Sequence, residues 1–232
     1  MLNKRNLQFE KIADEYDHSL PSHVVEHYIE KRKRFLLTQS HQGMTRALDV
    51  GAGTGRLAER LEAQGWQVTG IDLAYAMLQV MRGREGMAVQ GNSGCLPFPD
   101  ETFDVVYCIA MLHHVAEPDA VRATVREMSR VTRRGGVTIY WDHNPYNPYW
   151  PIIMARVPQD TGQERLIPAT EIMMALSDLP VSVIAYQTGF IPDFIPPSLL
   201  SLFQKLEWLI EHIPGVRRIL CAHNVIVARR NA

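Results

Sequence analysis

Ala47-Leu48-Asp49-Val50-Gly51-Ala52-Gly53-Thr54-Gly55-Arg56-Leu57, with Asp72 downstream, is the stretch that decides the fold. An apolar run breaks into alternating glycines and then into helix-compatible residues, which reads as a buried strand turning sharply into a helix. Such a turn brings main-chain N–H groups and a helix N-terminus close to a ligand and suits an anionic group such as a carboxylate or phosphate. A second strand, Gln67 to Ile71, ends on Asp72. A carboxylate there, about 20 residues past the turn, can accept hydrogen bonds from both hydroxyls of a ribose.

The spacing separates two nucleoside cofactors. A dinucleotide fingerprint, G-x-G-x-x-G, would place its third glycine where Arg56 stands, whereas this chain has G-x-G-x-G. The pattern resembles motif I of the class I S-adenosylmethionine-dependent methyltransferases. That resemblance implies S-adenosyl-L-methionine as cofactor, with Asp49, Gly51, Ala52, Gly53, Gly55, Arg56 and Asp72 among its contacts.

Further along, strands and helical patterns alternate: strand Arg46–Val50, helix near Gly55–Gln64, strand Gln67–Ile71, helix near Tyr75–Arg82 and strand Met87–Gln90. Strand Asp104–Ala110, helix Asp119–Thr132 and strand Gly136–Trp141 follow. This alternation predicts an α/β fold with a parallel sheet wound on both faces and a ligand at the strands' carboxyl ends. Late β-branched runs at Val181–Tyr186 and Asn224–Arg229 resemble the antiparallel sixth and seventh strands of the family. The expected architecture is a doubly wound, mostly parallel seven-stranded Rossmann-like sheet with an antiparallel last strand. One domain is expected, with residues 1–42 as a helical cap, 43–141 as the cofactor-binding core and 142–232 as the acceptor side.

A second stretch, Gly91-Asn92-Ser93-Gly94-Cys95-Leu96-Pro97-Phe98-Pro99-Asp100 running into Phe103-Asp104, resembles the G-D-A-x-x-L-P-F-x-D-x-x-F-D segment of the methyltransferase type 11 group. That group includes the ubiquinone- and menaquinone-pathway C-methyltransferases. The resemblance implies adenine recognition by Asn92 and Ser93, where the group carries Asp and Ala. Asn keeps a carbonyl oxygen to accept from the adenine amino group. Leu73, Met77 and Leu96 are the expected apolar walls of the adenine slot, and each also reads as core.

In the N-terminal helical region, interrupted at Pro21-Ser22, Tyr16-Asp17 matches a Tyr-Asp pair that helps many relatives close over the cofactor; Tyr16 also reads as a half-buried aromatic pinning the helix. The basic run Lys31-Arg32-Lys33-Arg34 reads as a solvated helix face, with an anion patch as the lesser alternative. After the fourth strand, Ile109 opens Ile109-Ala110-Met111-Leu112-His113-His114-Val115. There Ile109 is expected at the cofactor, His113 under its methionine part or in the core, and His114 toward the acceptor.

The fifth strand leads into Asp142-His143-Asn144-Pro145-Tyr146-Asn147-Pro148-Tyr149-Trp150-Pro151, whose prolines forbid a regular helix or central strand. This aromatic loop reads as the acceptor wall, with His143 and His114 as the candidate proton acceptors and Asp142 or Tyr146 as orienting groups. A helix over Ser198–Ile213 carries an apolar stripe that reads as core, with a lid or membrane-surface element as the alternative.

A net charge of -1 argues against bulk nucleic-acid binding, and no apolar run is long enough to span a membrane. Three scattered cysteines without a C-x-x-C pair read as reduced thiols in a cytoplasmic protein, with no metal expected. The function expected is methyl transfer to a small acceptor, with saccharide, quinone-like and lipid-linked molecules all open and the oligomeric state undetermined. The alternatives are a non-catalytic S-adenosylmethionine-binding module and a nicotinamide-dependent oxidoreductase, the latter opposed by Arg56.

Overall fold

A computed structural model describes residues 4–41, 43–157 and 159–232; residues 1–3 and 42 of the expected cap, and residue 158, lie outside them. Two helices, α1 (Lys4–Ile12) and α2 (Ser22–Gln39), precede the sheet, with a 3-10 turn at Tyr16–His18 between them. There follow β1 (Arg46–Val50), α3 (Arg56–Glu62), β2 (Gln67–Asp72), α4 (Tyr75–Gly83), β3 (Met87–Gln90), β4 (Phe103–Ile109), the short α5 (Leu112–Val115), α6 (Pro118–Val131) and β5 (Thr132–His143). The chain closes with α7 (Trp150–Met154), α8 (Ala169–Leu176), β6 (Val181–Thr188), α9 (Leu200–His212), α10 (Pro214–Leu220) and β7 (His223–Arg230).

The seven strands form one sheet in the order β3-β2-β1-β4-β5-β7-β6. From β3 to β5 all pairings are parallel, while β7 lies between β5 and β6 and runs antiparallel to both. The sixth strand is therefore parallel to the first five, and only the last is reversed. Both sheet faces are covered. On one, α6 and α8 bury Val121, Val125, Met128, Ile172 and Leu176; on the other, α2, α3 and α4 bury Leu36, Ala58, Leu61, Leu78 and Met81. Strand order reverses between β1 and β4, and the crevice at their carboxyl ends is where such a sheet binds ligands.

Two local expectations change. Strand β5 does not stop at Trp141 but continues through Asp142 and His143, because β7 pairs with it as far as His143↔His223. Pro151 does not prevent a helix either: it stands in the first turn of α7, where its missing N–H costs nothing.

The larger correction concerns α9. Of its apolar residues, Leu200 and Phe203 pack against Val24, Ile191 and Ile195, but Leu202, Leu206 and Leu209 are exposed, and its buried residue is Glu207, 3% exposed. The Glu207 carboxylate lies 2.9 Å from His27 Nε2 and 2.7 Å from Lys31 Nζ, and accepts from the Phe190 N–H at 2.8 Å. Glu211 accepts from Lys31 at 2.5 Å, Thr188 Oγ1 at 2.6 Å and the Gly189 N–H at 2.8 Å. The Lys31 ammonium and His27 imidazole on α2 and the open backbone donors past β6 need acceptors, and that requirement turns the acidic side of the helix inward. Lys31 is accordingly part of a buried ion cluster rather than a solvated basic face.

Candidate active site

The glycine turn and Asp72 build one another. Gly51 and Ala52 N–H groups donate to the Ile71 carbonyl at 2.8 and 3.1 Å, and the Gly53 N–H donates to Asp72 Oδ2 at 2.9 Å. Asp72 Oδ1 accepts from the Ala74 N–H at 2.9 Å, so both carboxylate oxygens are aimed while each retains lone-pair capacity. The three glycines all have positive φ but serve different ends. A Cβ at Gly51 would stand 2.3 Å from Met111 and one at Gly55 2.5 Å from Met81, whereas one at Gly53 would meet nothing within 4 Å. Gly51 and Gly55 permit close packing; Gly53 keeps open the space that a ligand would fill.

Two cavities meet at this turn. The first, of about 500 Å³, is lined by Asp72, Leu73, Met77, Asn92 and Ser93. The second, of about 270 Å³, takes in Asp49, Ala52, Arg56, His113 and His143, with Trp150 on the loop side. Tyr16, Gly51, Gly53, Ile109, Ala110 and His114 line both and form the waist between them. Two expected contacts lie elsewhere: Leu96 is buried in the core, and Gly55 packs against Met81. Asn92 Oδ1 accepts from the Gly94 N–H at 2.8 Å, which sets the turn and leaves one of its lone pairs, and Ser93 Oγ pairs with Thr124 at 3.0 Å.

The cap is latched over the turn. Asp17 accepts from Thr54 Oγ1 at 2.7 Å and from Arg84 at 2.5 Å, and Arg84 also donates to the Thr54 carbonyl at 2.6 Å. Glu10 accepts from the Tyr75 and Ala76 N–H groups at 2.6 and 2.9 Å and so caps α4. Arg56, expected at the cofactor, lines the second cavity and also bonds Glu26 of α2, with Arg60 on the same carboxylate.

Arg32 was missed by sequence reasoning. It lines the second cavity, and its Nε is buried without a hydrogen-bond partner. Burial lowers its pKa, against the pull of Tyr28, Tyr16, Asp142 and Asp49. Asp49, also buried, is pushed up to about 7 by burial, with Asp72 adding to the shift. A guanidinium with an unsatisfied Nε and a buried carboxyl lining one cavity are the donor–acceptor set that a zwitterionic amino-acid tail requires, so the chain fits the methionine end of S-adenosylmethionine.

On the acceptor side, Asp142 holds His113 rather than His143. His113 Nδ1 lies 2.7 Å from Asp142 Oδ1, and the His113 and His143 backbone N–H groups also donate to this carboxylate, at 3.1 and 2.7 Å. Burial by itself depresses His113, but the Asp142, Asp160 and Glu164 carboxylates outweigh it and raise its pKa above the ordinary imidazole value. Burial and the neighbouring His113 lower His114 to about 4 and His143 well below the usual range. His143 is stacked between His113, with ring centroids 4.1 Å apart, and Trp150, at 3.6 Å. Tyr146, expected to orient a histidine, is 59% exposed with Arg218 over its ring. Asn144 and Asn147 amides donate to the carbonyls of Arg218, Leu220 and Cys221 and weld the loop to the end of α10. His113, His114 and Asp160 bring donor atoms within 4.8 Å of one another, a set that could hold a metal ion.

Comparison with known proteins agrees with this geometry. A family model described as "Methyltransferase domain" matches residues 48–140. The ubiquinone biosynthesis O-methyltransferase of Idiomarina loihiensis is 30% identical over 171 residues, covering 63% of this chain and 68% of that protein. The demethylmenaquinone methyltransferase of Anoxybacillus flavithermus is 36% identical over 142 residues, covering 56% of this chain and 58% of that protein. With several curated relatives the match is shorter, 44% of the length of an uncharacterized methyltransferase of Bacillus subtilis and 38% of a demethylmenaquinone methyltransferase of Tropheryma whipplei. In solved structures the fold recurs in a SAM-dependent methyltransferase of Thermotoga maritima, with a TM-score of 0.72 at 18% identity over 98% of this chain and 100% of that one.

Proposed function

The chain belongs to the class I S-adenosylmethionine-dependent methyltransferases, and from that premise we propose that it methylates a small, ring-bearing acceptor held in the second cavity. S-adenosylmethionine, when bound, supplies an electrophilic methyl group on a sulfonium, ready for in-line displacement. Asp72 holds the ribose hydroxyls, Leu73, Met77 and Ile109 flank the adenosine, and Asn92 and Ser93 read the adenine edge. Arg32 and Asp49 take the carboxylate and amino group of the methionine tail. Tyr16, latched through its neighbour Asp17, covers the waist.

The acceptor side is built from flat and apolar groups, with Tyr149, Trp150, Ile153 and Ile191 around the stacked imidazoles. Those walls favour a planar ring, in keeping with a quinol-like acceptor, over a saccharide. His113, oriented by Asp142, removes the proton of an attacking hydroxyl or amine, because its raised basicity suits general-base work near neutral pH. His143 and His114, held neutral by burial, form aromatic walls and are weaker bases. The three unpaired cysteines suit a reducing, cytoplasmic setting.

One observation carries the reading: the two cavities share Tyr16, Gly51 and His114 in their walls, so a nucleoside in one and an acceptor in the other would be brought side by side there. Calorimetric titration with S-adenosylhomocysteine, with NADH in parallel, is the test. Micromolar binding of S-adenosylhomocysteine alone, worth about 8 kcal/mol, is expected. Labelled methyl transfer to a panel of phenolic and quinol acceptors should follow. Binding without turnover on any acceptor would favour a regulatory module, and binding of NADH alone would overturn the cofactor.

A further inference from the structure

Helix α9 leaves a row of apolar side chains half-exposed on its outer side. Leu202, Leu206, Leu209 and Ile213 recur at helical spacing and are 37 to 52% exposed, with Trp208 beside them at 62%. On α10, Ile219 is 52% exposed, and Phe194, on the segment leading to α9, is 65% exposed. Water-facing leucines at this density are not ordinary surface composition.

The charges of the same two helices are sorted by side. Their acidic residues, Glu207 and Glu211, both turn inward and are consumed by His27, Lys31, Thr188 and the Gly189 and Phe190 N–H groups. Lys205, Arg217 and Arg218 form no ion pair among the described residues. In sequence the helix reads as mixed in charge; folded, its free charges are all positive.

We propose that the outer face of α9 and α10 seats on a lipid bilayer carrying anionic headgroups. A leucine stripe flanked by a tryptophan and unpaired basic residues is the composition of an interfacial helix, with its apolar side among the acyl chains and its cations at the headgroups. No helix among the described residues is long and apolar enough to cross a membrane, so the contact is peripheral. A second copy of the chain fits this face less well, since two-fold pairing would set the unpaired cations against their own copies.

The face also borders the acceptor cavity. Arg218 lies over Tyr146, on the same loop as Tyr149 and Trp150, and Phe194 packs edge-on against Tyr149 with centroids 5.9 Å apart. A bilayer-resident acceptor could therefore reach the second cavity from the seated face. That consequence rests on the functional reading above, whereas bilayer seating does not.

Flotation of the full chain with vesicles tests the proposal, using phosphatidylcholine alone and phosphatidylcholine with about one-third phosphatidylglycerol. The chain should float with the anionic vesicles and be released by high salt. Arg217→Glu/Arg218→Glu should weaken binding at least about tenfold, and Trp208→Glu/Leu209→Glu should abolish it. Trp208, Leu209 and Arg218 are exposed and Arg217 is half-buried, and retained S-adenosylhomocysteine binding or an unchanged circular dichroism spectrum shows that each variant is folded. The milder Trp208→Ala replaces the double variant if it fails that check, and should bind more weakly than the parent. Failure of the parent to bind either vesicle, or equal binding by the folded variants, overturns the proposal. A dimer in sedimentation velocity that Trp208→Glu/Leu209→Glu dissociates, without vesicle binding, would assign the face to a second copy instead.

Discussion

Asp72 is the residue whose role follows most directly from its bonds. Its oxygens are positioned by the Gly53 and Ala74 N–H groups, so in the proposed binding mode the ribose would meet an acceptor already held in place. Asp72→Ala should weaken S-adenosylhomocysteine by about 1.5–3 kcal/mol in calorimetry, the loss of a charged partner of two hydroxyls. An unchanged affinity would remove it from the ribose. Asp142 acts through His113, and Asp142→Asn should change two readouts together. Turnover should fall by roughly 10²–10⁴-fold, and the limb of the pH–rate profile on which His113 loses its proton should move to lower pH, because the raising charge is gone. A lower rate with an unmoved limb would mean that Asp142 only shapes the pocket. Asp72 and the glycines were legible in sequence because their spacing is local. Arg32 and the His113–Asp142 pair were not, since a residue in a basic run shows its partners only once the helix is packed.

Among the elements, α9 shows how tertiary demand overrules amphipathic pattern. Hydrophobic periodicity predicts the helix correctly and its buried face only in part, since Phe203 packs inward while Leu202, Leu206 and Leu209 do not. Periodicity weighs apolar area and not the Lys31 ammonium, His27 ring and N–H groups opposite. Glu207→Ala should destabilise the protein by about 3–5 kcal/mol in denaturant unfolding, leaving Lys31 and His27 buried without their carboxylate. Hydrogen exchange should rise first in α9. A loss below about 1 kcal/mol would mean that water replaces the carboxylate at little cost. Burial acts against the ionised Glu207, but His27 and Lys31 prevail and hold its pKa at about 2. Its contribution is therefore present above the ordinary glutamate value and is lost as pH falls toward 2. The elements flanking the site, β1, β2 and α4, appear within a residue or so of their expected limits, since each is set by its own glycine, cap or apolar run.

At the scale of the whole molecule, acid should unfold the protein partly through buried imidazoles. His223 is held down to about 3 by burial, with Arg32 adding to the shift, so below pH 6.5 the unfolded chain binds a proton that the folded chain excludes. Stability from this group is complete above pH 6.5 and falls as pH drops toward 3, by about 2 kcal/mol at pH 5. His223→Gln should therefore lose less in Tm between pH 7.5 and pH 5 than the parent does; an equal or larger loss would exclude His223 as a source of the acid sensitivity. The sequence by itself determined the doubly wound sheet, the glycine turn and acidic strand end at β1 and β2, and the choice of S-adenosylmethionine over a dinucleotide. Those depend on residues close in the chain, whose spacing and backbone freedom leave few alternatives. The tertiary structure decided the sheet order that places β7 between β5 and β6, the unpartnered Nε of Arg32 in the cleft, the His113–Asp142 pair, and the inward turn of Glu207. These depend on groups brought together from distant parts of the chain, where the cost of burying an unpaired charge, not the local pattern, selects the arrangement.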